Sequence, residues 1–375
     1  MRLKDVLRGS DMRILHILSS GDIGGIEVLC KDIGQISRHE NYFLFVWRGG
    51  VIEDEMRRSG LNTAICGVKG KVSLKAVNTI LKMCEEKQIQ CIVVHHPSPL
   101  LWLYVPLIRF RRKDIRIFMY AHNNAANMLE KCNSKKYCIY KKMLAWAYKS
   151  SDGIIAISES VKRSIMDEYP YIRSEFIHVV YNGIKINNFK VSHRNENDLI
   201  RILYVGRIKK EKGVHLIVEA IEKLPKDVPE FECIIAGEGP YFSELRKSIV
   251  EKGLENKIKA IGPIRDVPAL LETGDIFIHP SVWKEGFGIS IAEAMAAGLV
   301  CIGSDRGAIP ELIRNQNNGF ICSAEDASNL TAVLKQVMLS IDSVDVKKIR
   351  TNAVENSKRF CIENTVSALD SLFEN

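Results

Sequence analysis

The stretch His279-Pro-Ser-Val-Trp-Lys-Glu285-Gly-Phe-Gly288-Ile-Ser-Ile-Ala-Glu293-Ala-Met-Ala-Ala-Gly298 carries the pattern that decides the fold. It indicates an apolar strand end, a glycine-bracketed turn and a short helix. Such a junction presents unpaired backbone N–H groups at a helix N-terminus, where oxygen-rich ligands bind. Carboxylates such as Glu285 and Glu293 accept hydrogen bonds from a vicinal diol and repel a phosphate. The stretch therefore predicts recognition of a sugar.

A plainer interpretation of the two acids is also open. Glu293 would favour the first turns of a helix through the helix dipole, and Glu285 would be a solvated loop acid. Gly286, Phe287 and Gly288 follow Glu285 directly, and glycines let a backbone approach a ligand closely. This crowding favours the ligand-binding interpretation.

Outward from this stretch, short apolar runs alternate with helical patterns along the whole chain, which indicates parallel sheets in an α/β protein. The predicted strands of the first half are Arg13 to Leu18, Tyr42 to Trp47, Cys91 to His95, Ile115 to Tyr120, Gly153 to Ile157 and His178 to Tyr181. Those of the second half are Arg201 to Val205, Glu232 to Ala236, Ile258 to Ile261, Ile276 to His279, Val300 to Gly303 and Gly319 to Cys322.

The length of 375 residues suggests two domains at about 150 residues each. The rhythm of strands and helices restarts after the polar, aperiodic segment Lys190 to Asp198, so a hinge is predicted near Phe189 to Asp198. We expect two doubly wound, Rossmann-like domains, residues 1–188 and 189–356. Ligands of such sheets bind beyond the carboxyl ends of the strands, and the natural site is the cleft between the domains.

Composition indicates a soluble globular protein, with 46% hydrophobic and 26% charged residues. Ten scattered cysteines, none in a Cys-x-x-Cys pair and many within apolar runs, are typical of buried cytosolic thiols. Met12 to Leu18 follows basic residues but is too short an apolar run for a signal peptide, so a buried first strand is predicted there. Ile89 to Ile108 contains histidines and prolines that a membrane helix tolerates poorly.

The net charge of +8 is unevenly distributed. Residues 1–185 hold 29 basic and 18 acidic side chains, and most of the excess lies in residues 101–150. Basic side chains interspersed with Trp102, Phe110, Trp146 and Tyr148 suit anionic lipid heads or a lipid-linked pyrophosphate. Electrostatics alone leaves nucleic acid and a merely solvated basic surface open as alternatives.

Two basic side chains open the second domain. Arg207 and Lys212 follow the strand Arg201 to Val205, and we expect them to converge on one anion. Loss of a nucleoside diphosphate from a sugar develops negative charge that a divalent metal or fixed cations stabilise. No Asp-x-Asp pair occurs in the chain, so a metal-free mechanism is preferred. A charged surface turn is the plainer alternative.

The first domain offers a glycine turn and two histidine sites after strand-like runs. Gly24 and Gly25 allow close approach to a phosphate or sugar, but the sequence matches neither Gly-x-Gly-x-x-Gly nor a Walker motif. The histidines of His95-His96-Pro97 and of Tyr120-Ala-His122-Asn123 could hydrogen-bond a sugar hydroxyl or the reacting centre. Structural roles are the alternative for each, as for Ser158 as a helix cap.

Together these segments resemble the family-4 retaining glycosyltransferases of the GT-B fold, over nearly the whole chain. The residues that carry the resemblance are the Gly24-Gly25-x-Glu27 turn, His122, Ser158-Glu159, Asn182-Gly183-Ile184, Gly206-Arg207 with Lys212-Gly213, Gly237-Glu-Gly-Pro240, Pro280-Ser281, and Glu285 through Glu293. Two departures concern acceptor details more than donor chemistry: Asn123 and Lys185 stand where the family commonly has Asp.

The resemblance implies two Rossmann-like domains facing each other across a cleft, with a nucleotide-sugar against the second. Arg207 and Lys212 would hold the diphosphate and Glu293 the ribose. Glu285, with the amides of Gly286, Phe287 and Gly288, would hold the donor sugar. Ile264 would line the base, Gly25 would approach the phosphates, and His122 would reach the sugar as a catalytic residue. The last segment, about Ser357 to Phe373, would cross back onto the first domain as a helix.

We therefore expect a cytoplasmic, metal-independent, retaining hexosyltransferase without a cofactor, bound peripherally at the inner face of a bacterial membrane. The donor would be a UDP-sugar, or GDP-mannose as second choice, and the acceptor a lipid-linked oligosaccharide or polysaccharide of a surface glycan such as O-antigen or capsule; no nucleic acid is expected. Alternatives are an enzyme that glycosylates a small soluble acceptor, a sugar-nucleotide epimerase, and a non-catalytic scaffold of this fold.

Overall fold

The computed structural model describes residues 12–68, 72–95, 98–125, 134–195 and 198–374. The chain forms two compact units. The first unit runs to Asn182 and takes in the chain again from Ile362, and the second is Gly183–Cys361. Each unit is built on one parallel, Rossmann-like sheet whose strands are connected through helices.

The sheet of the first unit has seven strands in the order β3-β2-β1-β4-β5-β6-β7, and every neighbouring pair is parallel. The strands are β1 Arg13–Ser20, β2 Glu40–Arg48, β3 Asn62–Ile65, β4 Cys91–His95, β5 Arg116–Ala121, β6 Gly153–Ala156 and β7 Ile177–Val179. The order reverses direction at β1, with β2 on one side and β4 on the other. Such a switch point opens a crevice at the carboxyl ends of the strands.

Several helices of the first unit bury one face against the rest of the unit. In Gly25–Ile36, for example, Leu29, Cys30 and Ile33 are buried, at the spacing of one helical face. The other helices are Val51–Arg58, Leu74–Glu86, Pro99–Trp102, Tyr104–Arg111, Ser134–Ser150, Glu159–Glu168 and Ile362–Glu374, with a 3₁₀ turn at Ser174–Phe176. Ser158 caps Glu159–Glu168, because its hydroxyl accepts from the Val161 amide at 3.1 Å.

The sheet of the second unit has six parallel strands in the order β10-β9-β8-β11-β12-β13. They are β8 Ile200–Val205, β9 Phe231–Ala236, β10 Ile258–Gly262, β11 Ile276–His279, β12 Val300–Ser304 and β13 Phe320–Cys322. Every residue of β11 and β12 is buried, which explains their continuous apolar runs.

The helices of the second unit lie between and after these strands. They are Val214–Glu222, Phe242–Glu251, Val267–Leu271, Ile289–Ala296, Ile309–Leu312, Ala327–Leu339 and Val344–Ser357, with 3₁₀ turns at Ile186–Asn188, Lys210–Lys212 and Lys358–Phe360. The core joins Ile202, Ile235 and Ile278 of the sheet to Ile217 and Leu334 of the helices.

The polar segment that was expected to act as a hinge is attached to the second unit. The Ser192 amide donates to the Ala297 carbonyl at 2.8 Å, and the Ser192 hydroxyl donates to the Gly274 carbonyl at 2.7 Å. The Arg194 guanidinium pairs with Asp275 and Asp342. These contacts do not fit a free linker, and the chain passes between the units at 182/183 and 361/362 instead of at 188/189 and 356/357.

The last helix begins later than the resemblance implied. Val344–Ser357 and the 3₁₀ turn Lys358–Phe360 belong to the second unit, the chain is extended at Cys361, and Ile362–Glu374 is a separate helix of the first unit. The return of the last segment to the first unit as a helix is therefore confirmed, with the helix beginning at Ile362 and not near Ser357.

The described cysteines are mostly buried, as the sequence predicted. Seven of the nine described cysteines are buried, Cys138 is exposed and Cys361 is partly exposed, and all nine are free thiols. Cys132, like His96 and Pro97, lies outside the described residues. In the part of the chain that the structure describes, no helix combines the length and apolarity that crossing a bilayer requires.

Candidate functional site

The loops after β8 and β11 are joined at the carboxyl edge of the second sheet, as expected because β8 and β11 are direct neighbours. The amides of Val282 and Trp283 both donate to the Glu211 carbonyl at 3.0 Å. The Ser281 hydroxyl donates to the same carbonyl at 3.3 Å. These bonds fix the loop that carries Lys212 against the loop that carries Glu285.

Glu285 is the centre of this arrangement. Its Oε1 accepts from the Lys212 ammonium at 2.6 Å and lies 3.1 Å from Nε2 of His279, the last residue of β11. Burial alone would raise the pKa of Glu285, but the Lys212 charge and the His279 hydrogen bond outweigh it and hold that pKa well below its usual range. Glu285 is therefore an ionised, buried carboxylate and not a solvated loop acid.

Two glycines in the left-handed backbone region allow these loops to approach. Gly307 follows β12 at φ +62°, and a Cβ there would lie 2.3 Å from both the amide nitrogen and the carbonyl oxygen of Glu285. Gly213 has φ +72°, and its Cβ would lie 1.9 Å from the Pro280 carbonyl oxygen. The Ala308 amide also donates to the Glu285 carbonyl at 2.9 Å. Backbone from three loops thus holds Glu285 in place.

Arg207 and Lys212 occupy different surroundings. The Arg207 side chain is exposed and forms no ion pair with an acid in the described ranges, while Lys212 is paired with Glu285. The Arg207 carbonyl accepts from the Tyr204 hydroxyl at 3.0 Å, which ties the loop to β8. The convergence of the two cations on one anion stays a prediction, because Lys212 contacts a carboxylate in this structure.

Glu293 lies in the second turn of helix Ile289–Ala296, so the helix dipole, which acts within the first turn, does not account for it. Burial raises the pKa of Glu293 to about 7. No side chain or backbone group in the described ranges donates a hydrogen bond to its carboxylate. An acid kept partly buried without a donor is poised to accept hydrogen bonds from a ligand.

The glycine turn between the two glutamates supplies backbone more than side chains. Gly288 has φ +105° and is the N-cap of helix Ile289–Ala296, so the cap has no side chain to occupy the first-turn amides. The Phe287 ring is buried and packs edge-to-face on Phe360, 5.2 Å between centroids. The buried ring leaves only the backbone of Phe287 for a ligand, and its role at a donor sugar stays a prediction.

Ile264 is placed apart from this group. It is half-buried in the loop after β10, the edge strand, which is separated from β8 by β9. No hydrogen bond or ion pair joins this loop to Lys212 or Glu285 among the described residues. Its role at the base stays a prediction.

In the first unit, Gly25 is the exposed first residue of helix Gly25–Ile36. The preceding Gly24 is extended, and a Cβ there would lie 2.3 Å from Oε2 of the buried Glu27. The absence of a side chain at Gly24 therefore leaves room for the Glu27 carboxylate in the first turn of the helix. The approach of Gly25 to a phosphate stays a prediction.

His122 follows β5 and is buried. Its Nε2 lies 2.9 Å from Nδ1 of His95, and its ring stacks on Tyr120 with centroids 4.4 Å apart. His95 in turn contacts His16, so the two predicted histidine sites are one connected system. Sequence reasoning missed His16 and the partner role of His279; a histidine inside the apolar run of β1 was the available signal.

The basic, aromatic region of residues 101–150 divides into buried and exposed parts. Phe110 and Trp146 are 81% and 52% exposed, on the packed helices Tyr104–Arg111 and Ser134–Ser150. Trp102 and Tyr148 are buried in the core, so the expectation that they face lipid is wrong.

Two family models match successive parts of the chain. Residues 23–188 match "Glycosyltransferase Family 4", and residues 185–360 match "Glycosyl transferases group 1". Their junction falls close to the passage from the first unit to the second.

Curated relatives include the amylovoran biosynthesis glycosyltransferase AmsK of Erwinia amylovora, 33% identical over 46% of this chain and 44% of that protein. Another is the lipopolysaccharide core biosynthesis mannosyltransferase LpsB of Rhizobium meliloti, 30% identical over 45% of this chain and 50% of that protein. The matched parts span about half the length of these relatives.

Among solved structures, Anabaena Alr3699/HepE in complex with UDP superposes with a TM-score of 0.82 at 20% identity, covering 97% of this chain and 100% of that one. WaaG, a glycosyltransferase of lipopolysaccharide biosynthesis, gives a TM-score of 0.73 at 13% identity, covering 96% of this chain and 99% of that one. Two family models in series and whole-chain agreement with these folds identify the chain as a member of the family-4 glycosyltransferases of the GT-B fold.

Proposed function

We propose that the protein is a retaining glycosyltransferase that moves a sugar from a nucleotide-sugar to a lipid-linked oligosaccharide or polysaccharide in bacterial surface-glycan synthesis. A UDP-sugar is the favoured donor and GDP-mannose the second choice. Amylovoran and lipopolysaccharide-core biosynthesis in the names of relatives support the glycan setting. A related fold in complex with UDP-glucose supports the uridine donor, and the name of LpsB supports mannose.

The observation that carries this proposal is the buried, ionised Glu285, which is held by Lys212 and His279 and precedes a helix whose N-cap, Gly288, has no side chain. An ionised carboxylate orients sugar hydroxyls by accepting their hydrogen bonds. In the proposed complex, Glu285 and the amides of Gly286, Phe287 and Gly288 hold the donor sugar. Glu285→Ala is expected to lower the rate at least about tenfold, or about 1.4 kcal/mol in activation free energy. A smaller loss would remove Glu285 from the reacting centre.

Glu293 is proposed to hold the ribose. Its carboxylate lacks a donor among the described residues, and two vicinal hydroxyls supply two hydrogen bonds to one carboxylate. Binding would favour the ionised form, so affinity for a nucleotide-sugar should increase as pH rises through about 7. The diphosphate of a nucleotide-sugar has no terminal phosphate that titrates in this range, so the free nucleotide is the poorer probe.

Arg207 and Lys212 are proposed to stabilise the leaving diphosphate without a metal ion. Fixed cations stabilise developing phosphate charge without reorganisation. Lys212 would then share its contacts between Glu285 and the diphosphate, and the exposed Arg207 is available without breaking an ion pair. Transfer measured with and without EDTA tests this point. Loss of transfer in EDTA, restored by a divalent cation, would contradict it.

Retention is proposed to follow front-face attack assisted by the leaving diphosphate. Glu285 is a poor candidate for a covalent nucleophile, because Lys212 and His279 already occupy its carboxylate and lower its basicity. Its role is to orient the sugar and to stabilise developing positive charge. The anomeric configuration of the product, read by proton NMR at early times, tests retention, and an inverted product would refute it.

A cytoplasmic location at the inner face of the membrane is also proposed. Phe110 and Trp146 are exposed beside Arg111, Lys142 and Lys149, which are exposed too. Exposed aromatic rings flanked by lysine and arginine suit an anionic bilayer surface. In a sedimentation assay at low salt, the wild-type chain should pellet with anionic vesicles. A double variant, Phe110→Ser with Trp146→Ser, should pellet to a smaller extent. Absence of binding would favour the alternative, a small soluble acceptor.

Two other classes are separable by one assay. A sugar-nucleotide epimerase of this fold would form product with the acceptor omitted, whereas a transferase would at most hydrolyse the donor slowly. A non-catalytic scaffold would do neither. Glu285, Glu293, Arg207 and Lys212 are all present, which favours the transferase.

The most informative first experiment is a thermal-shift screen of the full chain against UDP-, GDP-, ADP- and dTDP-sugars. A ligand that binds only the folded state stabilises it in proportion to the logarithm of its concentration over its dissociation constant. Selective stabilisation by one nucleotide-sugar over the others defines the base and the sugar together. No stabilisation by any of them would count against the proposed function.

A further inference from the structure

Three neighbouring strands of the first sheet place a line of buried polar side chains side by side. Asn41 is on β2, His16 on β1 and His95 on β4, and His122 follows β5. Oδ1 of Asn41 lies 2.9 Å from Nε2 of His16, Nδ1 of His16 lies 3.0 Å from Nε2 of His95, and Nδ1 of His95 lies 2.9 Å from Nε2 of His122. All four side chains are buried.

The direction of the hydrogen bonds along this line is set at Asn41. Its Nδ2 donates to the His39 carbonyl at 2.9 Å, which identifies Oδ1 as the atom facing His16. Since an amide oxygen only accepts, Nε2 of His16 must carry the proton in this contact.

The remaining proton positions follow ring by ring. Burial lowers the pKa of His16 to about 4, so the ring is neutral at physiological pH and its Nδ1 is a lone pair. That lone pair requires a donor, which is Nε2–H of His95. If His95 is neutral, its Nδ1 must accept in turn, and the donor to it is Nε2–H of His122.

We propose that Asn41, His16 and His95 are positioning residues that keep the proton of His122 on Nε2 and leave its Nδ1 as a hydrogen-bond acceptor. A neutral His122 then accepts from a sugar hydroxyl through Nδ1, and the opposite tautomer would donate instead. The mechanistic part of this inference rests on the proposed function and on the role that the family resemblance implies for His122, as a catalytic residue that reaches the donor sugar. The proton positions themselves do not.

Two of these histidines also belong to a group of side chains that could bind a metal ion. His16, Cys30 and His95 form a group of ligand-type side chains close enough to surround one metal ion. Their ring nitrogens are already hydrogen-bonded in line, and burial raises the pKa of the Cys30 thiol well above its usual range, so it remains protonated. A thiolate ligand is therefore disfavoured, and the contacts favour the hydrogen-bonded line.

The first experiment reads proton positions directly. The full chain, labelled with ¹⁵N only in histidine, is recorded by long-range ¹H–¹⁵N correlation at pH 7.5, and the rings are assigned by single substitutions. The expected result is Nε2–H and bare Nδ1 for His16, His95 and His122. Nδ1–H on His95 or His122 overturns the proposal, as does a stoichiometric metal ion that is lost in Cys30→Ala. No substrate is needed, so the outcome is independent of whether a donor is turned over.

The second experiment links proton position to rate. His16→Leu removes the acceptor for His95, whereas His16→Asn keeps an amide oxygen near the position of Nδ1. His16→Leu should mix the tautomers of His122 and lower kcat about tenfold, with the donor KM nearly unchanged. His16→Asn should restore the wild-type tautomer and most of kcat.

The matched control is His178→Leu, which removes a partly buried histidine from β7 outside the line. It should leave the tautomers and kcat unchanged. His16→Leu with wild-type tautomers and wild-type kcat would overturn the proposal. Wild-type protein with the expected tautomers but no turnover of any nucleotide-sugar would refute the proposed function alone.

Discussion

The pairing of Lys212 with Glu285 shows why a single carboxylate can be both buried and ionised. Without the Lys212 ammonium, the Glu285 carboxylate would be a buried charge without its cation, and burial would raise its pKa and favour the neutral form. The stabilisation is present above the ordinary carboxyl pKa and is lost as pH falls through the depressed pKa of the folded state. At neutral pH it is fully present.

We therefore expect Lys212→Met to lower the free energy of unfolding at pH 7 by about 2–3 kcal/mol, because Glu285 is buried and Lys212 is only about a quarter exposed. Lys212→Met with Glu285→Gln should recover most of that loss, because no charge is left unpaired. Urea unfolding of the two single variants and the double variant gives the coupling energy. Additive losses would show that the pair is not coupled.

Glu293 has the opposite electrostatic character. Its pKa is raised from 4.5 to about 7 by burial, so the folded state holds the proton more tightly than the unfolded chain. Its contribution to stability therefore declines as pH rises from about 4.5 to 7. Ionised Glu293 therefore destabilises the unliganded protein above pH 7, and two hydrogen bonds from a ligand's hydroxyls would offset that loss of free energy.

Glu293→Gln is expected to match the wild type in unfolding free energy at pH 4.5 and to exceed it by roughly 2 kcal/mol at pH 8. Urea titrations at both pH values measure the difference. Glu244→Gln, on the exposed face of helix Phe242–Glu251, is the matched control and should show no pH-dependent gain. Equal stability of Glu293→Gln and the wild type at pH 8 would mean that the carboxylate is well solvated.

At the scale of elements, the loops after β8, β11 and β12 hold one another through backbone contacts. Gly307 is the clearest case, since its Cβ would overlap both backbone ends of Glu285. Gly253 has a similar φ of +65° but no atom within 4 Å of the place of its Cβ. Substitution of both glycines by alanine therefore distinguishes two contributions to the loss of stability. Gly253→Ala introduces backbone strain only, and Gly307→Ala introduces the same strain together with a steric clash.

Gly253→Ala should cost about 1 kcal/mol in unfolding free energy, from backbone strain alone. Gly307→Ala should cost more and should also weaken nucleotide-sugar binding, because it displaces Glu285. Thermal unfolding and donor titration of both variants measure these effects. Equal losses in the two variants would show that the loop after β12 accommodates the methyl group.

Strand prediction from sequence succeeded where apolar runs are continuous and failed at β3. All strands of the described chain except Asn62–Ile65 were predicted with similar bounds. β3 is a four-residue edge strand with no buried residue, so its sequence lacks a hydrophobic run. Its place was determined by pairing with β2, a tertiary effect.

The roles of the candidate site residues stay predictions, and the contacts between them could not be predicted from the sequence. Glu285, Lys212 and Glu293 were identified from turns at strand ends, but the pairing of Lys212 with Glu285 depends on β8 lying beside β11. The same applies to His16 and His95, which meet only because β1 lies beside β4. Sequence spacing does not specify such neighbours.

At the scale of the whole molecule, the match to the second family model ends at residue 360, next to the end of the second unit at Cys361. The helix that follows belongs to the first unit. The Ser37 hydroxyl donates to Asp370 at 2.7 Å, and the Thr365 hydroxyl donates to the Tyr181 carbonyl at 2.9 Å. Phe373 is buried and contacts Phe118 of β5 with ring centroids 5.8 Å apart. The helix is therefore part of the core of the first unit.

Phe373→Ala is expected to destabilise the first unit by about 3–4 kcal/mol, through lost burial and the cavity left behind. Hydrogen exchange followed by mass spectrometry should show faster exchange in β5 and β6, with β8, β11 and β12 unchanged. Leu339→Ala, at a half-exposed position of the second unit, is the control and should change neither. Faster exchange in the second sheet would contradict the assignment of this helix to the first unit.

The central claim is that the second unit binds a nucleotide-sugar through Arg207, and calorimetric titration with the nucleotide-sugar chosen by the thermal-shift screen tests it most directly. The wild type and Arg246→Ala, which removes an exposed arginine of helix Phe242–Glu251, should bind with the same dissociation constant. Arg207→Ala should bind at least about tenfold more weakly, a loss of about 1.4 kcal/mol. Equal binding by Arg207→Ala and wild type, or no binding by the wild type, would contradict the account.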